Sequence, residues 1–224
     1  MAQDTRHFAE ELGELKHRLL AMGGLAEERV TNAMTALAKR DHALIQDVIN
    51  GDKELNDLHL EIDHRCFTLL ALHQPMAVDL RVIVAAVKIN SDLERVGDLA
   101  VNIGEAAERY VSHPPVKPLV DLPRMGTIAQ RMLRESLDAF VRLQIDAAQK
   151  VLDEDDVLDD LKNQIFRELL TYMLGDPHTI EPGIDLILIS RHLERIGDHA
   201  TNIAEDVIFI AEARDVRHRA AERA

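Results

Sequence analysis

Glu94, Asp98, Asn102 and Glu105 stand three or four residues apart, and Glu194, Asp198, Asn202 and Glu205 repeat that arrangement one hundred residues later. At about 100° per residue each set falls within roughly 80° on a helix, opposite Ile89, Val96, Ala100 and Ile103 or Ile189, Ile196, Ala200 and Ile203. Carboxylates at i, i+4 repel by a few tenths of a kcal/mol, so a chain that keeps them twice calls for a compensating charge. Asp155 and Asp159 form another such pair, and Asp52 with Asn56 is its partial counterpart in the first half. Ligands that are all Asp, Glu or Asn oxygens select hard divalent cations such as Mg²⁺ or Mn²⁺, or iron through carboxylate bridging, over zinc. No lysine is read into the pattern, so the counter-charge is expected to be a metal ion or the adjacent Arg95 and Arg195. Asn56 removes one charge, and weaker binding is expected in the first half. Gly97 and Gly197 lie between the acids at a cost of about 1 kcal/mol relative to Ala in a helix, which points to a close approach at the backbone.

These residues need helices to hold them. Apolar spacing predicts helices at residues 5–38, 41–72 and 77–110, then 122–149, 151–174 and 182–213. Arg81 to Val87 is rich in β-branched residues, but the helical spacing continues through Ile103, so it is read as helix. Asn50-Gly51 is expected to bend the second helix, while Gln74-Pro75 and Gly175-Asp176-Pro177 turn the chain between the second and third helices of each half. If those helices form antiparallel hairpins, positions 52–56 and 94–98 are symmetric about residue 75, and 155–159 and 194–198 about the Asp176-Pro177 junction. Both acid pairs are therefore expected to meet across a seam between helices.

Leu93 to Glu105 and Leu193 to Glu205 share nine identities in thirteen positions, and Val48 to Leu58 resembles Val151 to Leu161 at a shift of 103. Four of the seven prolines fall between Pro114 and Pro123, and the net charge of −14 divides equally between the two sides of this break. The expected fold class is all-α: two tandem three-helix bundles at residues 1–112 and 124–224, joined by a Pro-rich linker at 113–123.

Such a balance, 26 basic against 40 acidic residues, argues against nucleic acid and anionic membrane surfaces as partners. Cys66 is alone, so a disulfide framework or thiolate zinc site is not expected, and a reducing cytoplasm fits. The first twelve residues carry charges where a signal peptide needs an apolar run, and no window approaches the ~18 apolar residues of a membrane span. Insertion into a membrane is not expected.

The run Gln74-Pro-Met-Ala-Val-Asp-Leu-Arg81, then Lys88-Ile and Asp92-Leu-Glu-Arg-Val-Gly-Asp98, then Ser190-Arg-His-Leu-Glu-Arg-Ile-Gly-Asp-His-Ala-Thr-Asn-Ile-Ala-Glu-Asp206, resembles the PhoU family of phosphate-uptake regulators. Nearly the whole chain is covered, including Met22-Gly23 and Arg40-Asp41. That resemblance implies two three-helix bundles, metal clusters held by paired Glu/Asp-x-x-x-Asp motifs, and a homodimer. It also implies repression of the phosphate regulon through the phosphate ABC transporter ATPase subunit and the sensor histidine kinase. The family's metal motifs fall on Glu94 with Asp98 and Glu194 with Asp198, and the pairing of helices adds Asp155 with Asp159. Asn56 stands where Asp would complete a motif, and His73 where Arg is usual before Gln-Pro.

Two other readings compete. Glu14-x-x-His17 and Glu61-x-x-His64 have the spacing of a ferritin-like di-metal oxidase, but their wheels place them away from the apolar stripes, as surface pairs. A metal-independent acidic scaffold that binds basic partners is the second. No nucleophile–His–acid set or phosphate-binding loop is present, and catalysis is not expected. His59, His192 and His199 are read as surface residues, and Arg214 to Arg223 as a frayed helix end.

Overall fold

A computed structural model describes residues 2–51 and 53–214. Asp52 and positions 215–224 of the basic tail lie outside the described residues. Seven α-helices follow in order: α1 Ala2–Lys39, α2 His42–Asn50, α3 Lys53–His73, α4 Ala77–Val111, α5 Asp121–Arg142, α6 Ile145–Gly175 and α7 Ile180–Glu212. No strand occurs among the described residues. Helices α2 and α3 are the second helix of the first repeat, interrupted at Gly51 where a bend was expected.

The long α1 stops at Arg40, which adopts φ 55°, and Asp41 restarts the chain by accepting hydrogen bonds from the amides of Ala43 and Leu44, both at 3.1 Å. That cap satisfies two donors a helix start would otherwise leave open. In the second repeat the equivalent break falls at Leu143, φ 51°, so α6 begins at Ile145 and not at 151 as expected. Leu143 and Gln144 occupy the places of Arg40 and Asp41 at the shift of 103. Gln144 makes no side-chain cap, so the local signal that marks the first break is missing from the second.

Each third helix turns back along its predecessor. Gln74 and Ala77 take positive φ angles of 46° and 51° to reverse the chain into α4. Asp176 accepts from the amide of His178 at 3.0 Å to form a short 3₁₀ turn, Pro177–Thr179, ahead of α7. Inside the first hairpin the buried Asn90 donates to the His59 carbonyl at 3.0 Å and to Asp63 at 2.9 Å, which fixes α4 against α3.

The two repeats share a single apolar core. Helices α4 and α7 are central: each is packed by its own bundle and by the other repeat. In α4 the buried positions Leu99, Ala106, Ala85 and Ala86 widen the stripe beyond one face, and small side chains there let α7 come close. The two central helices run antiparallel, since Arg81 donates to the carbonyl of Ile210 at one end and Arg109 to Asp185 at the other. Between those ends Lys88 donates to the buried Asp206 at 2.9 Å. Lys117, in the linker, has a side chain only 8% exposed and pairs with Glu168 of α6 and with Asp121 of α5, so the connection is tied to the second repeat.

Asp185 is only 4% exposed and Arg109 reaches it at 2.8 Å. Arg109→Ala should cost about 1–3 kcal/mol in chemical denaturation because it strands a buried carboxylate. Pairing Arg109→Met with Asp185→Leu should recover most of that loss, because no buried carboxylate is then left without its partner.

Candidate metal centre

The second repeat brings four carboxylates together. Asp155 and Asp159 project from α6 toward Glu194 and Asp198 of α7, at the level the hairpin symmetry requires. Close packing of the two helices makes this possible: a Cβ added at Gly197 would come within 2.4 Å of Leu158 Cδ2 and 3.6 Å of an Asp155 carboxylate oxygen. Gly197 therefore admits α6, and the apolar Leu158 is what uses most of the space. Gly97 occupies the same place in α4 and is likewise buried.

Crowding shows in the protonation of these groups. Burial, followed by repulsion from Asp198, Asp159, Asp156 and Glu194, raises the Asp155 carboxyl from 3.8 to about 6. The Asp198 carboxyl is raised as well, by burial and then by Glu194 and Asp159, with His199 and Lys162 acting in the opposite direction. Asp198 keeps solvent exposure, so the cluster is open on one side.

A lysine supplies counter-charge inside the cluster, contrary to the expectation that none was built in. Lys162 Nζ donates to Asp159 at 2.6 Å and to Glu194 at 2.7 Å, bridging α6 and α7. Burial would lower the pKa of this ammonium, but the hydrogen bonds to Asp159 and Glu194 and their charges outweigh it and the net shift is upward. Lys162 sits seven residues after Asp155 and three after Asp159, on the same helix face, so the sequence carries the signal in the spacing of a basic residue and not of an oxygen ligand. Arg95 and Arg195, the expected counter-charges, are exposed. Among the described residues no three His, Cys, Asp or Glu side chains already converge as a metal-ligand group. The donor set nonetheless suits a hard cation, since four oxygen-bearing acids share one half-open seam and repel each other.

The remaining candidates are distributed differently. Glu94 is half-buried and Asp98 exposed on α4, and Asn56 is exposed on α3. Asn202 is not part of the Glu194 and Asp198 cluster: it turns to the other repeat, donating to Asp92 at 3.4 Å, while Asn102 is half-buried on α4. His199 joins the same inter-repeat contact, with its Nδ1 2.8 Å from Asp92, and its side chain is 12% exposed, so it is not a surface residue. Nor is His192, whose Nδ1 is buried without a hydrogen-bond partner. Burial and then Arg195, Arg191 and Arg109 push the His192 pKa down, which keeps the ring neutral. Both departures have one cause: the inter-repeat contact covers a face of α7 that a single three-helix bundle would leave in water.

Glu14 and Glu61 are engaged by arginine. Arg18 pairs with Glu14 at 2.9 Å and with Glu61 at 3.4 Å, and Arg65 with Glu61 at 2.9 Å. His17 and His64 are exposed, so the Glu-x-x-His spacings do not assemble the inward-facing site of a di-metal oxidase. Cys66 is buried, and burial raises its thiol to about 12, which makes it a core residue rather than a nucleophile.

Fold and site together define a class: an all-helical protein of two repeats, with a crowded carboxylate seam in the hairpin of the second. The PhoU domain matches this chain twice, at residues 19–107 and 122–207. A phosphate-specific transport system accessory protein PhoU homolog from Caulobacter vibrioides is 46% identical over 206 residues, covering 92% of this chain and 90% of the relative. One of the same description from Aquifex aeolicus is 41% identical, over 93% of this chain and 95% of the relative. The crystal structure of PhoU from Pseudomonas aeruginosa superimposes with a TM-score of 0.88 at 39% identity, over 92% of this chain and all of that one. PhoU from Streptococcus pneumoniae, a phosphate transport system regulatory protein, gives a TM-score of 0.85 at 30% identity, over 93% of this chain and 99% of that one. The chain belongs to the PhoU family.

Asp155 yields a pH test. Its folded-state pKa lies above the unfolded value, so the folded form holds the proton more tightly, and stability in metal-free buffer should fall as pH rises from 3.8 to about 6 and then level. Asp155→Asn should remove this contribution. Denaturation midpoints of the two proteins should separate across that window, the variant being the more stable above it, whereas parallel profiles would contradict the crowding.

Proposed function

We propose that this protein is an accessory regulator of phosphate-specific transport that holds back phosphate uptake and the phosphate regulon when phosphate is plentiful. Its partners in this reading are the ATPase subunit of the phosphate ABC transporter and the phosphate sensor histidine kinase, and it works in the cytoplasm as a homodimer without catalysing a reaction. Family membership supports the reading, together with relatives whose descriptions name phosphate-specific transport. No helix among the described residues is long and apolar enough to cross a membrane, which accords with contact to a transporter's cytoplasmic parts.

The single observation that carries the metal part of the proposal is the gathering of Asp155, Asp159, Glu194 and Asp198 across one seam. These four would hold a hard divalent ion, Mg²⁺, Mn²⁺ or iron. A bound ion would supply positive charge that turns a repulsive patch into one able to bridge to a partner's acidic or phosphate groups. Glu94, Asp98 and Asn102, with Asp52 and Asn56, would form the corresponding weaker set in the first repeat, while Asn202 is left to its contact with Asp92.

A regulator shifts its partner only through unequal affinity for the partner's states. Occupancy of the seam would have to change affinity for one state of the ATPase or kinase. The competing reading, a metal-independent acidic scaffold, is favoured by one specific observation: Lys162 already neutralises part of the cluster.

Pull-down of the purified ATPase subunit and of the kinase, with and without chelator, separates the two. Binding should fall severalfold on chelation and equally in Asp198→Ala, with elemental analysis showing less Mn or Fe in that variant. Binding that survives both treatments would establish the scaffold reading.

A further inference from the structure

Lys162 is placed where a bound cation would have to act. Its ammonium donates to one oxygen of Asp159 on α6 and one of Glu194 on α7, so it does across the seam what a bridging metal would do. The side chain is 24% exposed, so the ammonium has access to water. An ammonium at that position repels a divalent ion placed among the same oxygens, and the repulsion is strong at separations of a few ångströms in a partly buried site. Ammonium and metal therefore exclude each other, and loading has to expel Lys162 to solvent with its proton retained.

The first repeat is built without this device. At the shift of 103 that relates α6 to α3, Lys162 corresponds to His59. The His59 ring turns elsewhere: Nδ1 lies 3.4 Å from the carbonyl oxygen of Asn90 and Nε2 3.7 Å from Asp63. Asn56 also replaces the fourth acid there. By sequence the two sets of groups thus carry the same formal charge, but by different means. In the first repeat one acid is permanently absent. In the second all four are retained, and one is masked by a cation that can leave.

We propose that Lys162 is a tethered competitor that gates the second-repeat site, occupying it when divalent metal is scarce and yielding when metal is abundant. This rests on the metal reading given above and adds to it a specificity-determining residue. An ion enters only if it binds the four carboxylates better than the ammonium does. The full set favours a divalent ion over Na⁺ or K⁺, because attraction to the carboxylates scales with ionic charge whereas the cost of displacing the ammonium from Asp159 and Glu194 is the same for every ion. The apo cluster is kept from unrelieved repulsion by the same residue.

The test is calorimetric titration with Mn²⁺ of the full chain carrying Glu94→Gln and Asp98→Asn, which silences the first repeat. Lys162→Gln in that background should bind Mn²⁺ about tenfold more tightly, the scale of a lost charge-assisted hydrogen bond. Lys162→Arg, which retains a cation, should bind no more tightly than the parent. Without metal, Lys162→Gln should melt at a lower temperature than its parent, and Mn²⁺ should raise its melting temperature by more than it raises the parent's. Equal or weaker Mn²⁺ binding by a folded Lys162→Gln overturns the gate while leaving the metal site standing. Absence of Mn²⁺ binding in the parent, in Lys162→Gln and in the unmutated chain overturns the metal reading and the gate with it.

Discussion

Four carboxylates on α6 and α7 are forced to share one seam, and their mutual repulsion is the constraint around which the second repeat is organised. Helix packing leaves no freedom to relieve it. Leu158 is buried against the bare backbone of Gly197, and that contact sets the separation of the two helices. The hairpin turn at Asp176 and Pro177 then fixes which residues are level. Once both are set, Asp155 must face Asp198, and the chain can meet the electrostatic cost only by protonation, by Lys162 or by an added cation. A protein evolved for helical stability alone would place alternating charges along these faces.

Much of this was legible because it depends on periodicity. The tandem repeat, the six helical segments and the level of the acids across the second hairpin follow from spacing, and symmetry about the Asp176-Pro177 junction needs only equal rise in the two helices. Features that depend on side-chain length or on contacts between repeats were not legible in the same way. Lys162 is offset from Asp159 by three residues and reaches its carboxylate with a flexible stem, so the spacing of oxygen ligands carries no sign of it. The start of α6 at Ile145 carries no local signal, because Gln144 lacks the capping carboxylate that Asp41 supplies at the first break. The burial of His192 and His199 is not legible on a helical wheel, which shows which face is apolar but not that a second bundle covers the polar edge.

That second bundle also alters what the repeats mean. Helices α4 and α7 lie at the centre of a continuous core, and their ion pairs, Lys88 with Asp206 and Arg109 with Asp185, join the repeats at two buried carboxylates of α7. Asp92 with His199 and Asn202 extends this row from one acidic helix to the other. The carboxylate seam of the second repeat is thus one helix away from the contact with the first. A change in charge at Glu194 or Asp198 is close, through α7, to the groups that hold the halves together.

The most direct measurement is anomalous diffraction from crystals of the full chain soaked in Mn²⁺, recorded on either side of the manganese absorption edge. An anomalous peak bracketed by Asp155, Asp159, Glu194 and Asp198 is expected, with the Lys162 ammonium displaced into solvent. A crystal with no peak at that position, and with Lys162 still bridging Asp159 and Glu194 at saturating Mn²⁺, would contradict it.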